Sequence, residues 1–251
     1  MNSLLLLLTL SLSSWAQVYK ANTSLSDLYS SEARSFSAEE IVNKSMVDLK
    51  ALHESDLDTR IDNSSGYAKF ISLDEASDVK DAAMFNPVVS QFSSSKYDPN
   101  NVGIGYCFGR AMFINLDLAY RKLDRDSIKK AFVVGRMQTP DGNSWGWHVT
   151  TIVRSKDKNG LDQWLAIDPI VDGIITVEQW YNQMYENYST DGKLRLYITE
   201  TGKFGPTSGN YHQNSLTDQF YNNYFIDMLK WFEQASQNGD YDNNSIKVKN
   251  K

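Results

Sequence analysis

The sequence predicts an α+β domain in which an antiparallel sheet packs on a helix, and three observations carry that expectation. Apolar residues at Phe108, Met112, Leu116, Ala119 and Leu123 make a stripe one helix face wide. Strand-like runs at 131–138, 145–153 and 163–167 are separated by short turn sequences, a connection open only to antiparallel neighbours. A second long helical pattern lies at 216–237, and no internal repeat is visible.

At the N-terminus, Leu4 to Leu12 is an apolar run broken only by Thr9 and Ser11, and the small residues Ser14 and Ala16 precede Gln17. Residues 1–16 read as a signal peptide cut after Ala16, with a retained hydrophobic anchor as the alternative because no lysine or arginine precedes the run. No later stretch approaches the ~20 apolar residues of a membrane span. A secreted or periplasmic protein with no membrane contact after signal removal is therefore expected.

Residues 17–65 form an N-terminal segment. It is Ser-rich over 17–36, carries a capping box at Ser37-Ala38-Glu39-Glu40 that opens a helix over 38–53, and turns polar and acidic from Glu54 to Ser65. The main domain is expected over 66–240, with a polar tail at 241–251. A strand is expected at 67–72, then a Ser-rich stretch to Asn101 and the helix that follows Cys107, with Arg121, Lys122 and Arg125 at its end, where cations suit the dipole. Thr139 to Asn143 and Asp157-Lys158-Asn159-Gly160 are the turns between the strands. Thr176-Val177-Glu178-Gln179 opens a short helix, 193–199 returns as a strand, and Gly239 can close the last helix.

Composition narrows the function. In 251 residues, 41% hydrophobic with 6 Trp, 14 Tyr and 11 Phe, there is material for one sizeable core or one core and a small appendage. The net charge of −6 supplies no basic field, and the only lysine cluster (Lys247, Lys249, Lys251) sits in the tail, so nucleic acid is not an expected partner. The single cysteine excludes an intramolecular disulfide and leaves Cys107 a free thiol, either a buried small hydrophobe or a nucleophile.

Cys107 follows Gly103-Ile104-Gly105-Tyr106 and begins the helix, where unpaired N–H groups and the positive dipole end favour a thiolate. Of three histidines, His53 and His212 lie in polar stretches that read as surface, whereas His148 sits on a strand. There the alternation puts Trp145, Trp147, Val149, Thr151 and Val153 on one face and His148, Thr150 and Ile152 on the other. Folding the hairpin back about Lys158 brings Asp168 to within about one position of His148. A carboxylate there would fix the imidazole tautomer, and the imidazole would activate the thiol. Each residue also has an inert reading: a buried cysteine, a hydrogen-bonded strand histidine and an aspartate opening a turn before Pro169.

Gly105-Tyr106-Cys107-Phe108-Gly109-Arg110-Ala111, Trp145-Gly146-Trp147-His148-Val149 and Ile167-Asp168-Pro169 resemble, in order and spacing, the Cys, His and Asp motifs of the protein-glutaminase family, bacterial secreted enzymes that deamidate protein glutamine. More distantly they are similar to transglutaminases and papain-like peptidases. The likeness covers about 100 to 183, with none found for 17–99 or the last helix. The resemblance implies a papain/transglutaminase-like fold, Cys107 as nucleophile, His148 as general base and acid, Asp168 as its orienter, Arg110 as structural support, and no metal or organic cofactor. It implies a protein or peptide substrate bearing glutamine, with Tyr106, Trp145 and Trp147 as candidate substrate-binding residues, although sheet-core packing explains the tryptophans equally well. It also implies a prosegment role for 17–65, covering the cleft until proteolysis, beside the alternative of an integral subdomain. The chain departs from the disulfide-rich family in having one cysteine. A peptidase or transglutaminase with the same triad, and a catalytically silent envelope binding module, are the rival functions.

Overall fold

A computed structural model describes residues 67–90, 94–97, 106–140, 142–199, 201 and 219–241. The signal peptide, the helix expected at 38–53, the glycines before Tyr106, His53 and His212 fall outside the described residues. The helices are α1 (Leu73–Phe85), α2 (Ser94–Tyr97), α3 (Cys107–Tyr120), α4 (Val177–Tyr188) and α5 (Gln219–Gln237). The strands are β1 (Ile128–Gln138), β2 (Ser144–Lys156), β3 (Asp162–Ile167), β4 (Ile175–Thr176) and β5 (Arg195–Thr199). They form one antiparallel sheet in the order β4-β3-β2-β1-β5, so the fold is α+β with α3 laid on the sheet and Cys107 as its first residue.

The two sheet faces bury separate cores. On one, Ile128, Phe132, Val134, Val149, Val153, Leu165 and Ile167 meet α1, α3 and α5; on the other, Ala131, Val133, Ile152, Trp164 and Ala166 meet α4 through Val177, Trp180, Tyr181 and Met184. The period-2 alternation of three strands, read against both faces, accounts for this two-sided packing. The β2–β3 turn holds as expected: Asp157 Oδ1 accepts from the N–H groups of Asn159 and Leu161, both at 2.8 Å, and Gly160 takes the φ of +80° that favours glycine.

Three expectations are corrected. No strand forms at 67–72; only the isolated bridges Ala68↔Leu123 and Ile71↔Ser155 occur there, because the segment's backbone bonds go to two different partners, Lys122 and Arg154, instead of along one strand. The chain enters α1 directly, through a capping box in which Glu75 N–H donates to Ser72 Oγ (3.3 Å) and Ser72 N–H donates to Glu75 Oε2 (2.8 Å). On α3, the buried residues include Cys107, Phe108, Arg110, Ala111, Phe113, Ile114, Asp117 and Leu118, while Met112 and Leu116 are only partly buried. The stripe read from sequence is the flank of the buried surface, because α3 is covered on two sides. The sheet lies on one side; on the other, α5 presents Trp231 and Phe232 to Phe113 at ring distances of 5.3 and 5.0 Å.

The third correction concerns β2. Its pairing with β1 slips between Val134 and Met137, three residues of β1 spanning the two that separate Trp147 from Trp145. Trp147 therefore packs with the α3-side core, and Trp145 with the α4-side core, on the same side as His148.

Candidate active site

α3 begins abruptly. Tyr106 precedes it in the left-handed region (φ +48°, ψ +17°), a conformation costly for a residue with a Cβ, and no side chain caps the helix. The Tyr106 carbonyl accepts from Gly109 and Arg110 N–H, each at 3.0 Å, which fixes the first turn that carries Cys107. The Tyr106 hydroxyl donates to the Tyr97 carbonyl and its ring is 2% exposed, 4.9 Å from that of Tyr224. The side chain proposed from sequence as a substrate contact is thus a buried anchor, and its position is explained by the core it fills. Gly109 has a steric reason: a Cβ there would run into the Tyr224 ring of α5. One turn further on, Thr151 Oγ1 of β2 donates to the Ala111 carbonyl at 2.8 Å and ties α3 to the sheet.

His148 and Asp168 come from the other side of the sheet. Thr151↔Ile167 is the last pair of the β2–β3 ladder, so Asp168 stands nearest Thr150, two residues from His148 where the sequence suggested about one. Diagonal neighbours on one face still reach each other. His148 Nε2–H donates to Asp168 Oδ2 at 2.7 Å, and both residues are buried. Where β3 leaves the ladder it uncovers the edge of β2, and Cys107 fills that gap, accepting from the Val149 N–H. The thiol from one face and the imidazole from the other meet at this edge, and Cys107 hydrogen-bonds with His148. With Nε2 committed to the carboxylate, the nitrogen left for sulfur is Nδ1.

The electrostatics follow from this arrangement. Burial opposes a charged Cys107, but the hydrogen bond to His148, its positive charge, Arg110 and the Val149 N–H prevail and hold the thiol below its usual value. Burial likewise opposes imidazolium, yet the Asp168 carboxylate and Cys107 push His148 up to about 9. Asp168, also buried, is kept below the ordinary carboxylate range by His148, the Trp180 indole and the Ile170 N–H. The depressed thiol and the raised imidazole both favour a thiolate–imidazolium pair backed by a carboxylate.

Trp145 is half-buried and stacks on the His148 ring at 5.8 Å, with Tyr188 behind it at 5.7 Å; Trp147 packs against Phe132 at 5.8 Å. Trp145 therefore borders the imidazole, whereas Trp147 belongs mainly to the core beneath α3. Two residues near the site had no role assigned from sequence. Trp180 donates its indole N–H to Asp168 Oδ2 at 2.8 Å, and buried Lys80 of α1 donates to the Val171 carbonyl and, at 2.9 Å, to that of Gly173, in the loop after Asp168. The Ser72–Glu75 capping box was the available signal for the helix bearing Lys80. Among the described residues no cluster of His, Cys, Asp and Glu could hold a metal ion, and no helix is long and apolar enough to cross a membrane.

Comparison with known proteins bears on the same residues. The family model described as glutaminase matches residues 83–184, beginning inside α1 and so upstream of the likeness read from sequence. No curated protein matches the chain. A crystal structure of protein-glutaminase is similar at 19% identity and a TM-score of 0.42, covering 59% of this chain and 84% of that one. The NMR structure of protein-glutaminase from Chryseobacterium proteolyticum gives 19%, 0.43 and the same coverages of 59% and 84%. A crystal structure of pro-protein-glutaminase gives 18% and 0.44, covering 66% of this chain and 61% of that chain. The stretch matched by the glutaminase model, residues 83–184, contains all three members of the Cys–His–Asp cluster, and over that length the chain is similar to that family.

Proposed function

We propose that the chain is a secreted or periplasmic cysteine-dependent deamidase that hydrolyses glutamine side-chain amides in proteins or peptides to glutamate and ammonia. The observation that carries this reading is the buried chain of contacts in which Asp168 holds His148 through Nε2 at 2.7 Å while Cys107 engages the other side of the ring. In the first half-reaction the Cys107 thiolate attacks the amide carbon, and N–H groups at the start of α3 stabilise the oxyanion. The C–N bond breaks as His148 passes its proton to the nitrogen, which leaves as ammonia, and a thioester remains. In the second, His148 takes a proton from water, hydroxide adds to the thioester, the C–S bond breaks, and glutamate leaves with the thiolate regenerated. No metal or organic cofactor takes part.

Trp145 walls the approach to the imidazole and is the better placed of the two tryptophans to meet the aliphatic part of a glutamine. Residues 1–16 act as a signal peptide, 66–240 as the catalytic domain, and 17–65 as a prosegment that restrains it. The test is ammonia release from a glutamine-containing protein by wild type and by Cys107→Ala. Release confined to wild type is expected, and equal release would remove the proposal. Mass analysis of the product separates deamidation from chain cleavage or amine incorporation, which the same acyl-enzyme could support.

A further inference from the structure

The Asp168 carboxylate has a defined set of donors. Oδ2 accepts from His148 Nε2 at 2.7 Å and from Trp180 Nε1 at 2.8 Å, and Oδ1 accepts from Ile170 N–H at 3.1 Å. Trp180 is fully buried, one turn into α4 behind the Thr176–Gln179 capping box, with its ring 6.1 Å from that of His148. The helix start therefore aims the indole at the oxygen that also serves the imidazole.

We propose, on the deamidase reading above, that Trp180 is a positioning residue: its indole N–H, with the Ile170 N–H, locks the Asp168 carboxylate in the orientation that holds His148 against Cys107.

The chemistry of the donor favours this role. An indole N–H is neutral and does not titrate, so it can hold the carboxylate without competing with His148 for its charge. A lysine or arginine in that place would form an ion pair and draw the carboxylate away from the imidazole. The nearby cation on α1 is diverted from doing so, because Lys80 spends its ammonium on the Val171 and Gly173 carbonyls. The other charged or titratable groups facing the cluster are Cys107 and Arg110 of α3, Lys130 of β1, Tyr188 of α4 and Tyr224 of α5. Among the described residues, His148 is the one ion-pair partner of Asp168. Burial by itself would drive Asp168 toward its neutral form, in which it could no longer hold imidazolium, so each donor to it has a consequence at Cys107.

The experiment is the rate of Cys107 alkylation by iodoacetamide as a function of pH, in wild type, Trp180→Phe and Asp168→Asn, with ammonia release measured alongside. Loss of the indole N–H makes the carboxylate easier to protonate. The acid-side midpoint of alkylation should then move upward by about one to two pH units, the size expected for a hydrogen bond to a charged group, with Asp168→Asn moving it at least as far. Replacing Trp180 by 3-benzothienylalanine, which keeps ring size and has no N–H, should give the same shift and removes packing loss as an explanation. An unmoved midpoint in folded Trp180→Phe and in the benzothienyl protein would overturn the assignment. A shifted midpoint in a protein whose wild type releases no ammonia would uphold the role of Trp180 and sink the deamidase reading instead.

Discussion

At the scale of single residues, the sheet edge is the decisive feature. Cys107 belongs to one face of the sheet and His148 to the other, and they meet because β3 departs after Ile167 and leaves the Val149 N–H free for sulfur. In the proposed mechanism the reactive state requires Cys107 ionised and His148 protonated. The thiol is depressed and the imidazole is raised to about 9, so the ion pair is lost as pH rises through about 9. Ammonia release should therefore fall on an alkaline limb near 9. An alkaline limb near the ordinary imidazole value of about 6.5 would contradict the pairing. The contact between Cys107, His148 and Asp168 was legible in the sequence, since a cysteine at a helix start and a histidine and an aspartate on hairpin neighbours are patterns that spacing reveals. Trp180, Lys80 and the buried ring of Tyr106 were not, because their roles depend on which way a side chain turns once α4, α1 and α5 have docked.

At the scale of elements, two contacts set the position of Cys107. Thr151→Val keeps the shape of the side chain but leaves the Ala111 carbonyl without its sheet donor. It should lower stability by about 1 kcal/mol in urea unfolding and slow iodoacetamide labelling by loosening α3. Gly109→Ala would drive a methyl into the Tyr224 ring and should cost about 1–3 kcal/mol, and the same change should cost less when made in a Tyr224→Ala background. Equal stability of Gly109→Ala and wild type would show that α5 can shift without cost. The strands of the hairpins were readable from alternation and turn residues, whereas the slip in β1 opposite Trp145–Trp147 was not. A bulge changes the face of Trp145 without changing the sequence pattern that predicts its face. The unexpected helix α1 had its capping box in plain view at Ser72 and Glu75, but its buried stripe of Ala76, Val79, Lys80 and Ala83 is weakly apolar and includes a lysine.

For the whole molecule, one sheet buried on both faces supports a site assembled from α3, β2, the end of β3 and α4. The family match spans these elements and stops in α4; α5, beyond the matched stretch, packs its aromatic face on α3 and supplies Tyr224 beneath Cys107's helix. If 17–65 restrains the enzyme, limited proteolysis between Glu54 and Ser65 should raise ammonia release; loss of folding on the same cleavage would instead make that segment an integral subdomain. The central claim, that one thiol does the chemistry, is testable because the chain has a single cysteine. Titrating the protein with iodoacetamide while following ammonia release and intact mass should show activity falling in proportion to the labelled fraction and vanishing at one label per chain. Release that survives complete alkylation of Cys107 would contradict the account.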